Sequence, residues 1–363
     1  MQRLTTILLS IPIAYFAFAE EPASKAVTPV RESMLPIDDA CSPVPSPDGT
    51  KIAYVHTGTG EKGGEGRGSL RSEFHVMTAD GKHLGALRGM FISGWTADGK
   101  SVACFRDWQC CLVSPDGIKS KESTIPERSN RFTRRERAVY LPRLDSMAWM
   151  RHDEIGSHVD TSKEEVSAYY KEEYGKRPGD LMAPSPDGRY LAVVGSEIDS
   201  NLWILDFDSK QWTDFGKAVV HPSKNWEWAK PPWTPWSSDG SKLVYFSEGK
   251  LILASPDGKT KETVTKIDGA AALPAVSPNG KQIAFVTFDA PDEKDRYHWG
   301  GTSIWVVAAK ADSIPRRVTE KSRESTFCLR WLNDETAVFD RITSKWFFVG
   351  SRIWKVPVDE RKP

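Results

Sequence analysis

One short turn sequence recurs along the chain and constrains its fold more than any other feature. The turn reads Ser-Pro-Asp-Gly or a close variant, and a short apolar run follows each copy. Proline fixes φ, aspartate bonds back to its own backbone, and glycine adopts the positive φ of a tight turn. Each copy therefore predicts a hairpin. The copies, of which the last is degenerate, place their Asp or Asn at Asp48, Asp98, Asp187, Asp239, Asn279 and Asp334.

A second turn follows the first in most repeats and ends another apolar run. Clear examples are Ala79-Asp80-Gly81 and Pro256-Asp257-Gly258. Two hairpins per repeat make a four-stranded antiparallel meander, which is the blade of a β-propeller. Strands buried on both faces are expected to be apolar and β-branched, as these are. The sequence predicts an all-β fold, a single β-propeller of four-stranded antiparallel blades with strands A to D.

The number of blades depends on the interval between Asp98 and Asp187, which is nearly twice the mean of the others. We place a hidden copy near Trp149, which leaves little room before the next turn. A capping box at 162–165 and the residues after it predict a short helix near 163–174. Seven blades, the third incomplete, are therefore favoured, and six blades are the alternative.

The two ends of the chain are expected to meet in the last blade. The last repeat supplies strands A to C, ending with Arg352 to Val358, and an open sheet edge invites aggregation. We expect the N-terminal segment 20–40 to donate the closing strand, and residues 41–363 to form the propeller domain.

The five cysteines leave several pairings open. Aligning the turns places Cys41 and Cys328 on neighbouring innermost strands at the ring closure. They form either a disulfide that locks the ring or two buried thiols. Cys104 and either Cys110 or Cys111 flank a predicted hairpin and are candidates for a cross-strand bridge.

The N-terminus has the pattern of a cleavable secretory signal. Arg3 precedes an apolar stretch from Leu4 to Phe18, and small residues, Ala17 and Ala19, stand at −3 and −1. We predict a signal peptide over 1–19, cleaved after Ala19, and a periplasmic or secreted protein with no transmembrane span after cleavage. Lys+Arg and Asp+Glu both total 49, so net charge does not point to nucleic acid.

The repeats resemble those of TolB-type, WD-repeat-like β-propeller proteins. The resemblance rests on a Trp-Ser-Pro-Asp-Gly type of turn followed by an apolar strand, and 185–193 and 277–286 match it closely. It implies the propeller fold. The same fold occurs in periplasmic protein-binding subunits, in gating domains of prolyl-oligopeptidase-like peptidases and in some oligogalacturonate lyases, so it does not select a function.

Sequence motifs for catalysis or metal binding are absent. There is no Gly-x-Ser-x-Gly nucleophile turn and no His-x-x-x-His or Cys-x-x-Cys spacing. We expect no cofactor and no metal, and catalytic residues stay unknown. In an enzyme of lyase type, histidines could gather around the central funnel to abstract a proton; those considered are His56, His152, His158, His221 and His298.

Long connections lie where function is expected. The B–C loops 57–72 and 287–302 and the D–A connections 125–145 and 216–232 open on the same face of a propeller. These segments are rich in Trp, Arg and His, which are frequent in protein interfaces. The candidate binding residues are Trp226, Trp228, Trp233, His221, Arg134, Arg135, Arg296, His298 and Trp299.

The favoured hypothesis is an exported non-catalytic β-propeller that binds a protein or peptide partner of the cell envelope through this face. The alternative is a propeller enzyme, polysaccharide lyase-like or hydrolase-like, that acts in the central funnel.

Overall fold

The structure is a computed structural model that describes the greater part of the repeated strands. The described ranges are 32–57, 72–88, 91–106, 109–115, 121–122, 137–141, 146–150, 154–158, 165–169, 181–194, 200–219, 234–289, 301–342 and 351–358.

The described strands form seven antiparallel sheets, numbered here in chain order. The first strand, β1 (Ser33–Asp38), belongs to the last sheet. Sheet 1 consists of β2 (Ala40–Pro45), β3 (Lys51–Thr57), β4 (Ser72–Thr78) and β5 (His83–Arg88). Sheet 2 consists of β6 (Phe91–Trp95), β7 (Val102–Arg106), β8 (Gln109–Val113) and β9 (Lys121–Glu122). Sheet 3 consists of β10 (Arg137–Leu141), β11 (Ser146–Met150), β12 (Glu154–His158) and β13 (Glu165–Tyr169).

The second half of the chain continues the same order. Sheet 4 consists of β14 (Leu181–Pro184), β15 (Tyr190–Val194), β16 (Ser200–Asp206) and β17 (Gln211–Ala218). Sheet 5 consists of β18 (Leu243–Ser247), β19 (Lys250–Ala254) and β20 (Lys261–Lys266). Sheet 6 consists of β21 (Ala270–Val276), β22 (Gln282–Phe288), β23 (Thr302–Ala308) and β24 (Arg316–Arg317). Sheet 7 adds β25 (Leu329–Asn333), β26 (Thr336–Arg341) and β27 (Arg352–Pro357) to β1.

The all-β propeller architecture is confirmed. The sequence left seven and six blades open; the described strands give six complete four-stranded blades and one further sheet, sheet 5, with three strands. Where the innermost strand of sheet 5 would lie, isolated bridges join Trp236 to Leu243 and Val219 to Phe246.

The short helix expected near 163–174 is wrong, and so is the incomplete third blade. Residues Glu165–Tyr169 form strand β13, which pairs along its whole length with β12 and completes sheet 3. A short isolated helix is marginal, whereas pairing with a neighbouring strand satisfies the backbone directly. Val166 and Tyr169 are also residue types that favour strands. Within the described ranges, no helix has the length and apolarity to cross a bilayer.

Strand β1 closes the ring of sheets. Strand β1 pairs antiparallel with β27, with Ser33 opposite Lys355 and Asp38 opposite Arg352. Sheet 7 therefore combines the beginning and the end of the described chain. This pairing covers the backbone edge that β27 would otherwise leave open.

The hydrophobic core lies between neighbouring sheets. At the closure, Ile52, Tyr54 and Met77 of sheet 1 pack with Val338 and Ile353 of sheet 7. Comparable clusters lie between sheets 1 and 2, 4 and 5, 5 and 6, and 6 and 7. Because both faces of the inner strands are buried, strands such as β15, β18 and β22 are almost continuously apolar, as the sequence indicated.

The repeated turn has the geometry that its residues predict. In the first copy, Asp48 Oδ1 accepts hydrogen bonds from Ser46 Oγ at 2.6 Å and from the Thr50 N–H at 3.0 Å. The Lys51 N–H donates to Ser46 Oγ at 2.9 Å, and Gly49 has φ of 69°. The Ser46 hydroxyl is the main cause that lowers the pKa of Asp48 to about 2.

A tryptophan before some of these turns bonds to the preceding sheet. Trp95 Nε1 donates to the Val44 carbonyl, and Trp331 Nε1 to the Ala275 carbonyl, both at 2.8 Å. Trp236 makes the same bond to sheet 4. The turn motif therefore also joins neighbouring sheets.

Candidate functional site

The strand order divides the connections of the propeller between two faces. In an antiparallel meander, A–B and C–D turns lie on one face, here called the turn face, and B–C and D–A connections lie on the other, the loop face. The gaps between β3 and β4 and between β22 and β23 are B–C connections. The gaps between β9 and β10 and between Val219 and Thr234 are D–A connections. The long connections therefore open on the loop face.

The nine candidate binding residues fall within these connections and lie outside the described residues. Segment 123–136 contains Arg134 and Arg135. The others are Trp226, Trp228, Trp233 and His221 in 220–233, and Arg296, His298 and Trp299 in 290–300. Their role in binding stays a prediction.

The connection between β26 and β27 also opens on the loop face, and sequence reasoning missed it. Residues 343–350 link the B and C strands of sheet 7. The run Lys345-Trp346-Phe347-Phe348 in this connection was a signal, since large aromatic residues are frequent at interfaces.

The residues that flank the insertion between β22 and β23 of sheet 6 are held by direct contacts. The Asp289 N–H donates to the Gly301 carbonyl at 3.0 Å, and Lys321 Nζ lies 2.9 Å from the Asp289 carboxylate. A Cβ on Gly301 would overlap the Ser322 carbonyl oxygen, so the close approach there requires glycine. The insertion therefore starts and ends at positions held by direct backbone and ionic contacts.

A buried carboxylate joins sheets 7 and 1 near the loop face. Asp340 Oδ1 accepts the backbone N–H groups of Phe327 and Cys328, both at 2.8 Å, and Oδ2 accepts that of Ser42 at 3.0 Å. Burial raises the pKa of Asp340, and the three N–H groups act against that rise. Sequence reasoning missed this group, although a charged residue after the apolar run Ala337–Phe339 was a visible signal.

Beside this carboxylate lie the two cysteines of the closure. Cys41 and Cys328 are buried thiols and are not bridged, which is the second of the two alternatives. Cys328 Sγ donates to the Pro43 carbonyl at 3.4 Å, and burial raises the pKa of both thiols, that of Cys328 to about 12. In sheet 2 the strand register places Cys104 opposite Cys111, but Cys104 is buried and not in a disulfide, so the cross-strand bridge expected there is wrong.

Three histidines lie on consecutive strands of sheet 1. His75 Nδ1 is 3.0 Å from His83 Nε2, and the ring centroids of His56 and His75 are 4.9 Å apart. The ring of Tyr54 lies 5.4 Å from that of His75. Sequence reasoning considered His56 only with histidines of other repeats, and His158 ends a strand of sheet 3. The turn between β4 and β5 was the signal that could have joined His75 to His83.

Comparison with known proteins supports the architecture. No family model matches the sequence, and no curated protein matches it significantly. Among solved structures, the β-propeller domain of Cps50 (Swd1) from Myceliophteria thermophila has a TM-score of 0.55 at 12% identity, covering 89% of this chain and 99% of that one. This chain is a β-propeller. TolB from Acinetobacter baumannii is also similar, with a TM-score of 0.41 at 14% identity, covering 87% of this chain and 65% of that one. At these identities the likeness to solved structures concerns the fold alone.

Proposed function

We propose that the chain is an exported, non-catalytic β-propeller that binds a protein or peptide partner of the cell envelope through its loop face. One observation carries the proposal: the strand order brings the long connections to one face, whereas repeated short turns build the other. Variable loops on a rigid scaffold are the usual place of binding function.

The composition of these connections indicates the kind of ligand. Trp and Arg dominate the energy of protein interfaces because they bury large area and make directional polar contacts. The segment 220–233 contains Trp226, Trp228 and Trp233, and 123–136 contains a run of arginines. A protein or peptide surface with apolar and acidic groups fits this combination.

Export rests on the N-terminal sequence, with its short basic start, apolar stretch and small residues before Glu20. The propeller enzyme remains the alternative, but no arrangement within the described residues favours it. Within the described residues, His56 lies beside His75, which in turn lies beside His83 on the same sheet.

The test is capture of partners from an envelope extract of the source organism with the mature chain, residues 20–363. The changed protein carries Trp226→Ala, Trp228→Ala and Trp233→Ala together. The matched control is Ile314→Ser, because Ile314 is 89% exposed and lies between β23 and β24 on the turn face.

We expect the control to recover the same partner as the unchanged protein. The triple change should reduce that recovery about tenfold or more, as expected for loss of interface hot spots. Equal recovery by the triple variant and the unchanged protein would show that this part of the loop face does not bind. Thermal melting of each variant checks that the propeller is folded.

A further inference from the structure

We propose that His75 and His83 form an open two-histidine site for a divalent transition metal, with Cu²⁺ preferred, on the hairpin of β4 and β5. His83 is exposed and His75 half-buried, so an ion can reach the pair from solvent. The site is independent of the proposed partner binding.

The spacing of the two nitrogens fits a shared metal ion. Nitrogens bound at about 2.0–2.1 Å to one ion lie roughly 2.9 Å apart at a right angle and about 3.4 Å apart at a tetrahedral angle. His75 Nδ1 and His83 Nε2 are 3.0 Å apart, close to the right-angle value. Square-planar or tetragonal coordination by nitrogen is characteristic of Cu²⁺ and Ni²⁺, and Cu²⁺ binds such ligands most strongly.

A β-bulge brings the two rings to one face of the sheet. Val76 pairs with Gly85, but Met77 pairs with His83, so the register skips Leu84. Because side chains alternate along a strand, this slip turns His83 to the face of His75 and Met77, while Leu84 packs on the other face, toward sheet 2. Without the bulge, His83 would lie opposite Thr78 and point away from His75.

Neighbouring rings hold His75 in its orientation. Tyr54 and His56, two residues apart on β3, place their ring centroids 5.4 Å and 4.9 Å from that of His75. A ligand already fixed by packing loses little conformational entropy when the metal binds. The described residues contain no group of three His, Cys, Asp or Glu side chains arranged to hold a metal ion. The pair therefore supplies two ligands, and water completes the coordination.

Metal binding needs only a change of tautomer. Between the two neutral rings, one nitrogen donates its proton and the other accepts it. When Cu²⁺ binds both of these nitrogens, the donor ring carries its proton on its other nitrogen instead. The ion then accepts one lone pair from each ring, and no net proton is released.

The test is titration of the mature, tag-free chain with Cu²⁺ alone, against glycine as a competing chelator. Calorimetry measures affinity, and electron paramagnetic resonance counts the bound nitrogens. The variants are His83→Gln and His75→Gln, and Glu335→Gln, at an exposed residue between β25 and β26, is the control that keeps the pair. Melting curves check folding; His83 is exposed, so its change should leave the fold intact.

We expect one Cu²⁺ per chain with two imidazole nitrogens, and weaker binding of Zn²⁺. Each pair variant should weaken Cu²⁺ binding about tenfold or more, since losing even an outer partner of a metal site costs that much. The control should bind like the unchanged protein. Cu²⁺ binding by His83→Gln equal to that of the unchanged protein, or a spectrum with fewer than two nitrogens, would overturn the proposal.

Discussion

The contact between sheets 1 and 7 at Gly49 can be measured by comparing alanine substitutions of two glycines in equivalent turns. Gly49 and Gly280 follow the Asp or Asn of the repeated turn and have nearly the same φ, 69° and 70°. A Cβ on Gly280 would meet no atom within 4 Å, whereas a Cβ on Gly49 would overlap the Leu332 carbonyl oxygen of sheet 7. Alanine at the two positions therefore differs chiefly in that one contact.

The expected losses in the free energy of unfolding follow from the cost of the left-handed backbone conformation and the cost of the added methyl group. A non-glycine residue in the left-handed region costs about 1–2 kcal/mol. Alanine recovers roughly 0.4–1 kcal/mol of this by restricting the unfolded chain. Gly280→Ala should therefore lower the free energy of unfolding by about 1 kcal/mol. Gly49→Ala should cost a further ~1–3 kcal/mol, the usual cost of forcing an extra methyl group into packed structure, because a backbone carbonyl cannot rotate away.

Urea unfolding followed by tryptophan fluorescence measures both variants under one set of conditions. The comparison requires equal m-values, so that the midpoints report stability alone. Equal destabilisation by the two variants, within about 0.5 kcal/mol, would show that sheets 1 and 7 do not approach each other at Gly49 as the structure has them.

Three further changes test other contacts. Trp331→Phe removes the bond to the Ala275 carbonyl and should lower the free energy of unfolding in urea by about 1–3 kcal/mol, because a buried acceptor loses its donor. Asp340→Ala leaves three backbone N–H groups without their acceptor and should cost about 3 kcal/mol or more in the same assay, with Asp340→Asn costing less. The folded-state pKa of Asp48 is lowered to about 2, so its stabilisation is present above the ordinary pKa and is lost as pH falls toward 2. Melting temperatures should therefore fall over that range, and less steeply in Ser46→Ala, which lacks the hydroxyl that lowers the pKa most.

The repeated part of the fold could be predicted because its signals are local. Asp and Gly in a tight turn act through their own backbone, as the bonds of Asp48 and the positive φ of Gly49 show. The expectation of a closing strand rests on a count of strands, because the last repeat supplies only strands A to C. Each of these inferences depends on the number of strands in a repeat or on the conformation that a residue's own side chain favours.

The failures concern residues whose structure depends on a partner that their own local sequence does not indicate. The segment 163–174 has helix-forming composition, yet β13 within it forms a strand because β12 is available to pair with it. Asp340 binds Ser42, which is 298 positions away, and no local pattern indicates that contact. The strand order assigns the connections that contain the candidate binding residues to the loop face, but composition alone does not determine how connections such as 220–233 are arranged.

The closure lacks the tryptophan bond that joins three other pairs of neighbouring sheets. Trp95, Trp236 and Trp331 join sheets 1 and 2, 4 and 5, and 6 and 7, each bonding to a carbonyl of the preceding innermost strand. The degenerate last copy has lost the glycine but keeps Trp331, because the tryptophan acts between sheets rather than within the turn. The first copy has Pro45 in the tryptophan position, and proline has no side-chain donor to bond to sheet 7. At the closure, Asp340 of sheet 7 makes the connection instead. Its carboxylate accepts the N–H of Ser42 in sheet 1 and the N–H groups of Phe327 and Cys328, which directly precede β25.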